Sequence, residues 1–222
     1  MQLQARLDGF TNELIASGKI PENVVAGLME NIREQVESGQ ADRALKAGDT
    51  APPFVLKDAD GQTVDSKALI AKGPLVVSFY RGVWCGYCNL ELKALEEARG
   101  EIEARGASLV AISMQTAANS RKSARENGLN FPILIDAGGK LSESFGLRYK
   151  LSSKMIGFYK DLGNDLEVFN GDDSWMLPMP GRYVIGQDGV VAYAEINPDF
   201  TKRPDPSDLY PVLEQLARSR AA

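Results

Sequence analysis

The sequence predicts an α/β fold, a central mixed sheet flanked by helices, with a helical extension at the N-terminus. Three observations carry that reading. Short apolar runs alternate with amphipathic stretches from residue 75 onward, the rhythm of βαβ units. One such run, Leu75–Tyr80, leads directly into Cys85-Gly86-Tyr87-Cys88 and a long helical pattern. Residues 1–45 show only helical periodicity, which leaves 46–222 for the sheet domain.

In the extension, Leu3, Leu7, Phe10 and Leu14 recur at helical spacing until Ser17-Gly18-Lys19 breaks the pattern. Pro21 opens a second helix, on which Val25, Leu28, Ile32 and Val36 share a face. Such a hairpin must bury its apolar faces, either on the main domain or in a homodimer contact. Lys46–Phe54 is rich in turn formers, and Phe54–Leu56, Asp60-Gly61 and Thr63-Val64 read as a small hairpin. Leu75–Tyr80 is then a buried strand, and Cys85 to about Ala104 a helix with Leu92, Leu95 and Ile102 inward. Leu109–Met114 is the next strand, Ser120–Asn127 a helix closed by Gly128, and Pro132–Ile135 a further short strand. Residues 147–180 read as an insertion of loops and short helices. Arg182–Ile185 and Val190–Ile196 form a hairpin across Gln187-Asp188-Gly189. Ser207–Arg218 is a last helix with Leu209, Val212, Leu213 and Leu216 buried.

Composition narrows the function. With 44% hydrophobic residues in 222, the chain can build a real core. A net charge of −5 supplies no general attraction for nucleic acid or an anionic membrane. No apolar run approaches the roughly 20 residues of a membrane span, and Arg6 and Asp8 interrupt any leader-like start. Two cysteines make no secreted disulfide framework, so a cytoplasmic location is expected. Histidine is absent, which removes Cys-His and Ser-His-Asp catalysis and imidazole metal ligands together.

Cys85 and Cys88 are the only cysteines. A strand followed by Cys-x-x-Cys and a helix puts the first sulfur at a helix N-terminus, where unpaired N–H groups and the dipole favour a thiolate. Cys85 is thus the candidate attacking sulfur and Cys88, one turn on, its disulfide partner. A zinc site would need two chains to share their cysteines, and a pair of buried thiols is the plain alternative. Without histidine, activation falls to the helix terminus, backbone donors or a cation such as Arg81 or Arg182. Trp84 flanks the sulfur as shield, docking surface or packing, Tyr80 and Tyr87 raise the same question, and Trp175 is a further candidate lining residue.

Several segments in order give the chain a family likeness. Gly48-Asp49-x-Ala51-Pro52-x-Phe54-x-Leu56 resembles the opening of alkyl hydroperoxide reductase/thiol-specific antioxidant (AhpC/TSA, peroxiredoxin) domains. Val110–Ser113, Gly128–Asp136, Phe145-Gly146 and Tyr183–Gly189 continue the resemblance over about residues 46–217. Phe79-Tyr80-Arg81-Gly82-x-Trp84-Cys85-x-x-Cys88 is similar to a Cys-x-x-Cys branch of that group. The resemblance implies a thioredoxin-like fold, a peroxide substrate, no cofactor or metal, and a thioredoxin- or glutaredoxin-type reductant. It implies an arginine at the sulfur, Arg81 or Arg182, with a solvated surface charge as the plain alternative for each. Through the thioredoxin-like fold it implies a cis Pro180 beside the cysteines, with an ordinary loop proline as the alternative. Two positions depart from the pattern. Gly82 stands where peroxiredoxins carry a Thr or Ser hydroxyl and Ser78 where they carry proline, so the usual peroxide contacts are incomplete. Gly86 replaces the branch's proline between the cysteines, which alters the poise of the pair. The leading expectation is a thiol peroxidase, followed by a thiol–disulfide oxidoreductase and then a redox-sensing interaction module.

Overall fold

The computed structural model describes residues 2–18 and 20–221; Lys19, named above at the helix break, lies outside them. Helices α1 (Leu3–Ala16) and α2 (Glu22–Glu37) come first. The hairpin β1 (Val55–Asp58) and β2 (Thr63–Asp65) follows, then α3 (Ser66–Ile70), β3 (Leu75–Phe79), α4 (Gly86–Ala104), β4 (Ser108–Ser113), α5 (Ala117–Asn127) and β5 (Ile133–Ile135). Helix α6 (Lys140–Ser144) follows, and the insertion then holds β6 (Arg148–Lys150), α7 (Ser153–Asp161), α8 (Leu166–Asn170) and β7 (Met176–Pro178). The hairpin β8 (Gly181–Ile185) and β9 (Val191–Ile196) and the helix α9 (Leu209–Ala221) close the fold.

Seven strands form one mixed sheet in the order β2-β1-β5-β4-β3-β8-β9. β3, β4 and β5 are parallel, as their helical crossovers require, while β8 runs antiparallel to β3. β3 is buried on both faces, which explains its apolar run, interrupted only by the buried Ser78. Val76 and Tyr80 meet Leu92, Leu95 and Ile102 of α4 and Leu209 and Leu213 of α9 on one side. Leu75, Val77 and Phe79 meet Phe54, Phe145 and Tyr183 on the other. The centre of the sheet therefore holds the C-terminal end of β3 rigidly, and the cysteine turn grows from that end.

The N-terminal helices pack on their own chain. Leu3 and Leu7 are buried against α4, and the Leu3 backbone N–H donates to Asp205 Oδ2 at 2.9 Å. On α2 the buried line is Val24, Gly27, Asn31 and Ile32, whereas Val36 is 55% exposed. This differs from the face read off the sequence, and Gly27 is the reason. A Cβ there would lie 2.1 Å from Cε2 of Phe158 on α7, so the missing side chain lets the ring dock on the backbone. The insertion gathers Leu151, Met155, Tyr159, Leu166, Trp175 and Leu177 into a cluster of its own, which also touches Leu28 and Trp84. No helix among the described residues is long and apolar enough to cross a membrane.

Gly146, where the insertion meets residues 43–45, combines a φ of +71° with a Cβ position 2.1 Å from the Arg43 carbonyl oxygen. Backbone cannot yield as a side chain does, so Gly146→Ala is expected to cost about 2 kcal/mol or more in denaturant unfolding. An unchanged midpoint would contradict this packing.

Candidate active site

Beyond β3 the chain turns sharply through Arg81-Gly82-Val83-Trp84 before α4 begins. Gly82 has a φ of +151°, and a Cβ on it would fall 2.5 Å from Trp84 Nε1. A hydroxyl-bearing residue at this position would collide with the indole, so Trp84 occupies the space that such a side chain needs. The Val83 N–H donates to Gln115 Oε1 at 2.9 Å, and Gln115 Nε2 donates to Tyr80 Oη at 2.6 Å and Ser123 Oγ at 3.0 Å. Gln115 thus ties the turn to β3 and α5 from below.

Cys85 is the N-cap of α4, with φ −90° and ψ 103°, and its Sγ accepts from the Cys88 N–H at 3.3 Å. Arg81 Nη2 donates to the same sulfur at 3.1 Å. The guanidinium is itself buried and held on several sides. Nη1 donates to Tyr159 Oη at 3.1 Å, while Cζ lies 3.8 Å from the Phe200 ring centroid and 5.2 Å from that of Trp84. Arg81 Nε and Trp84 Nε1 have no partner among the described residues, although both are buried. Two buried donors of the cysteine turn are therefore unpaired among the described residues, one of them on the guanidinium that touches the sulfur.

The electrostatics of the two cysteines diverge. Burial opposes ionisation of Cys85 most strongly, but the hydrogen bond with Cys88 and the charges of Arg81 and Arg203 outweigh it. The Cys85 pKa falls to about 5. Burial and the neighbouring Cys85 push Cys88 well above the ordinary thiol range. At neutral pH the pair is one thiolate and one thiol. Cys85 is only 3% exposed and Cys88 is fully buried.

Arg182 does not reach the sulfur. Its Nη2 donates to Glu91 Oε1 at 2.8 Å, and Arg203 Nε donates to Glu91 Oε2 at 2.6 Å. Glu91 faces inward one turn after Cys88 and captures Arg182 from β8; burial works against its ionisation, yet the two guanidinium groups hold its pKa below the usual value. Of the two candidate arginines, Arg81 is the one at the thiolate, and Arg203 adds field from behind. The expected cis Pro180 is also not found: the described residues contain no cis peptide bond. In the trans form the chain runs straight from β7 into β8, with the Met179 N–H on the Leu147 carbonyl at 2.9 Å, and Pro180 borders the Glu91–Arg182–Arg203 cluster. Trp175 lies in the insertion cluster and donates to Glu167 Oε1 at 2.9 Å, away from the sulfur.

Sequence reasoning missed Glu91, Gln115, Tyr159, Phe200 and Arg203. Of these, only Glu91 carried a local signal, a carboxylate on the inward stripe of α4 with Cys88, Leu92 and Leu95.

Residues 47–194 match the profile of the AhpC/TSA family. The chain belongs to that family. It is 32% identical over 110 residues to the thiol-disulfide oxidoreductase ResA of Halalkalibacterium halodurans, covering 49% of this chain and 61% of that protein. With the ResA of Bacillus thuringiensis the match covers 46% and 59%, so the chain spans about three-fifths of these relatives. A Mycobacterium tuberculosis protein carrying the name peroxiredoxin is 30% identical over 112 residues, 50% of this chain and 73% of its own. Among solved structures, the peroxidoxin BcpB of Mycobacterium tuberculosis superposes with a TM-score of 0.61 at 22% identity, over 79% of this chain and 97% of its own. That likeness shows the thioredoxin-like fold.

Replacing Arg81 by Met removes the cation from the sulfur and should return Cys85 toward the ordinary thiol range. Alkylation of Cys85 by iodoacetamide at pH 6 is then expected to slow at least about 10-fold, because the thiolate fraction collapses. Unchanged alkylation would show that the helix terminus alone supports the thiolate.

Proposed function

We propose that the protein is a thiol-dependent peroxidase. The observation that carries this reading is the enclosed Cys85 sulfur in contact with Arg81 Nη2, on a guanidinium whose Nε has no hydrogen-bond partner among the described residues. A thiolate against a guanidinium with a spare donor offers what a peroxide needs: a nucleophile for one oxygen and a hydrogen bond for the other. Cys85 attacks the peroxide, an S–O bond forms, the O–O bond breaks, and the departing oxygen leaves as water or an alcohol after gaining a proton. Cys88 then attacks the sulfenic sulfur, forming the Cys85–Cys88 disulfide and releasing a second product, water. Two electrons from a thiol donor of the thioredoxin or glutaredoxin type restore the pair. The low pKa of Cys85 stabilises the reduced form and so makes the disulfide easy to reduce. A reducing compartment such as the cytoplasm suits that cycle.

A second reading, thiol–disulfide oxidoreductase, is favoured by one specific feature. Gly82, covered by the Trp84 indole, supplies no side-chain hydroxyl at its position, and the ResA relatives carry that name. Enclosure favours the first reading, since a peroxide needs little room whereas a protein disulfide must bring its chain to the sulfur.

Mixing the reduced protein with one equivalent of hydrogen peroxide tests the choice. The peroxidase reading predicts loss of two thiols per peroxide, at a rate at least about 100-fold above free cysteine. A rate like that of free cysteine, with rapid reduction of a small aromatic disulfide, would overturn it in favour of the oxidoreductase.

A further inference from the structure

Helix α1 reaches over the cysteine turn. Gly86, the residue between the two cysteines, has the Phe10 ring where its side chain would be: a Cβ there would lie 2.4 Å from Phe10 Cζ. Phe10 also meets Tyr87 edge-on at 5.1 Å, and Thr11 Oγ1 is 2.9 Å from Tyr87 Oη. From Tyr87 the contacts continue to Phe200 at 5.6 Å and from Phe200 to Arg81 at 3.8 Å. An unbroken row of rings thus joins α1 to the cation on the Cys85 sulfur.

The helix is held unevenly. Its first half is anchored by buried Leu3 and Leu7, by the Leu3 N–H on Asp205, and by Arg6 on Glu97 at 2.8 Å. Its second half carries the half-buried Phe10 and Thr11, while Ile15 near its end is 57% exposed. The part that sits on Gly86 and Tyr87, between and beside the cysteines in sequence, is therefore the part with less holding it down, as expected of a segment that opens locally.

We propose that Phe10 is a size gate of the dithiol: docked on Gly86, it confines the pair to small reactants, and a protein-sized thiol or disulfide gains access only when the second half of α1 lifts. This gives glycine at position 86 a physical role, since any side chain there would drive the ring away. The gate rests on the proposed redox role of Cys85 and Cys88 for its purpose, but its test needs no peroxide.

The test compares alkylation of the reduced, full-length protein by iodoacetamide with alkylation by a maleimide carrying a 5-kDa polyethylene glycol. In the unsubstituted protein the bulky reagent is expected to lag the small one far more than it does on free cysteine. Phe10→Ala removes the ring, and Gly86→Ala pushes it off while keeping every N-terminal side chain. Each should raise the bulky-to-small rate ratio at least about 10-fold, through a shifted open population. An unchanged ratio in a folded variant, or a ratio like that of free cysteine before substitution, would overturn the gate. A raised ratio in a protein inert to peroxide would sustain the gate while sinking the peroxidase reading.

Discussion

A single buried contact organises this molecule: the Arg81 guanidinium against the Cys85 sulfur, 3.1 Å apart in a region closed to solvent. Neither charge would be tolerated there alone, because desolvation of an isolated ion costs several kcal/mol. Each surrounding element makes the pair affordable. The Cys88 N–H at the start of α4 donates to the sulfur, and Tyr159 accepts from the guanidinium on the opposite side. Phe200 and Trp84 present ring faces to the cation, which exclude water yet still stabilise positive charge. The Glu91–Arg182–Arg203 cluster lies behind them, and the positive charge of Arg203 adds to the field that favours the thiolate.

The same closure sets what the site can accept. Two glycines flank the reactive sulfur, and each is required by an aromatic ring resting on its backbone, Trp84 on Gly82 and Phe10 on Gly86. The rings come from different places, one from the active turn itself and one from the N-terminal helix. Together they replace the hydroxyl and the proline that the family pattern has at these positions. The site has exchanged the hydroxyl at position 82 for aromatic enclosure beside a guanidinium donor. Chemistry that needs little space and a strong thiolate benefits from that exchange.

The parts of this architecture legible in the sequence are those set by local pattern. The strand–cysteine–helix junction, both hairpins, the insertion and the closing helix follow from apolar runs, turn residues and periodicity, and the structure keeps them within a few residues. Gly128 ends α5 in a left-handed conformation, as its position suggested. What escaped depends on partners far along the chain. Arg182 and Arg81 looked equivalent, and only Glu91, 91 residues from Arg182, separates them. The buried face of α2 turned on a glycine meeting a ring on α7, which no hydrophobic count over α2 reveals. Arg203 and Phe200 sit in a loop without regular pattern, so nothing local marks them. The cis form of Pro180 comes from the family likeness alone, and the structure has no cis bond there: between β7 and β8 the Met179 N–H is held on the Leu147 carbonyl.

The account stands on Cys85 being a thiolate in the folded protein at neutral pH. The most direct measurement is the thiolate absorbance near 240 nm of the Cys88→Ser variant, followed from pH 3 to pH 10. With one cysteine left, the titration belongs to Cys85 alone. A midpoint near 5, the value its surroundings impose, is the predicted result. A midpoint near that of a free thiol, about 8.5, would show that the Arg81 contact does not ionise the sulfur and would contradict the account.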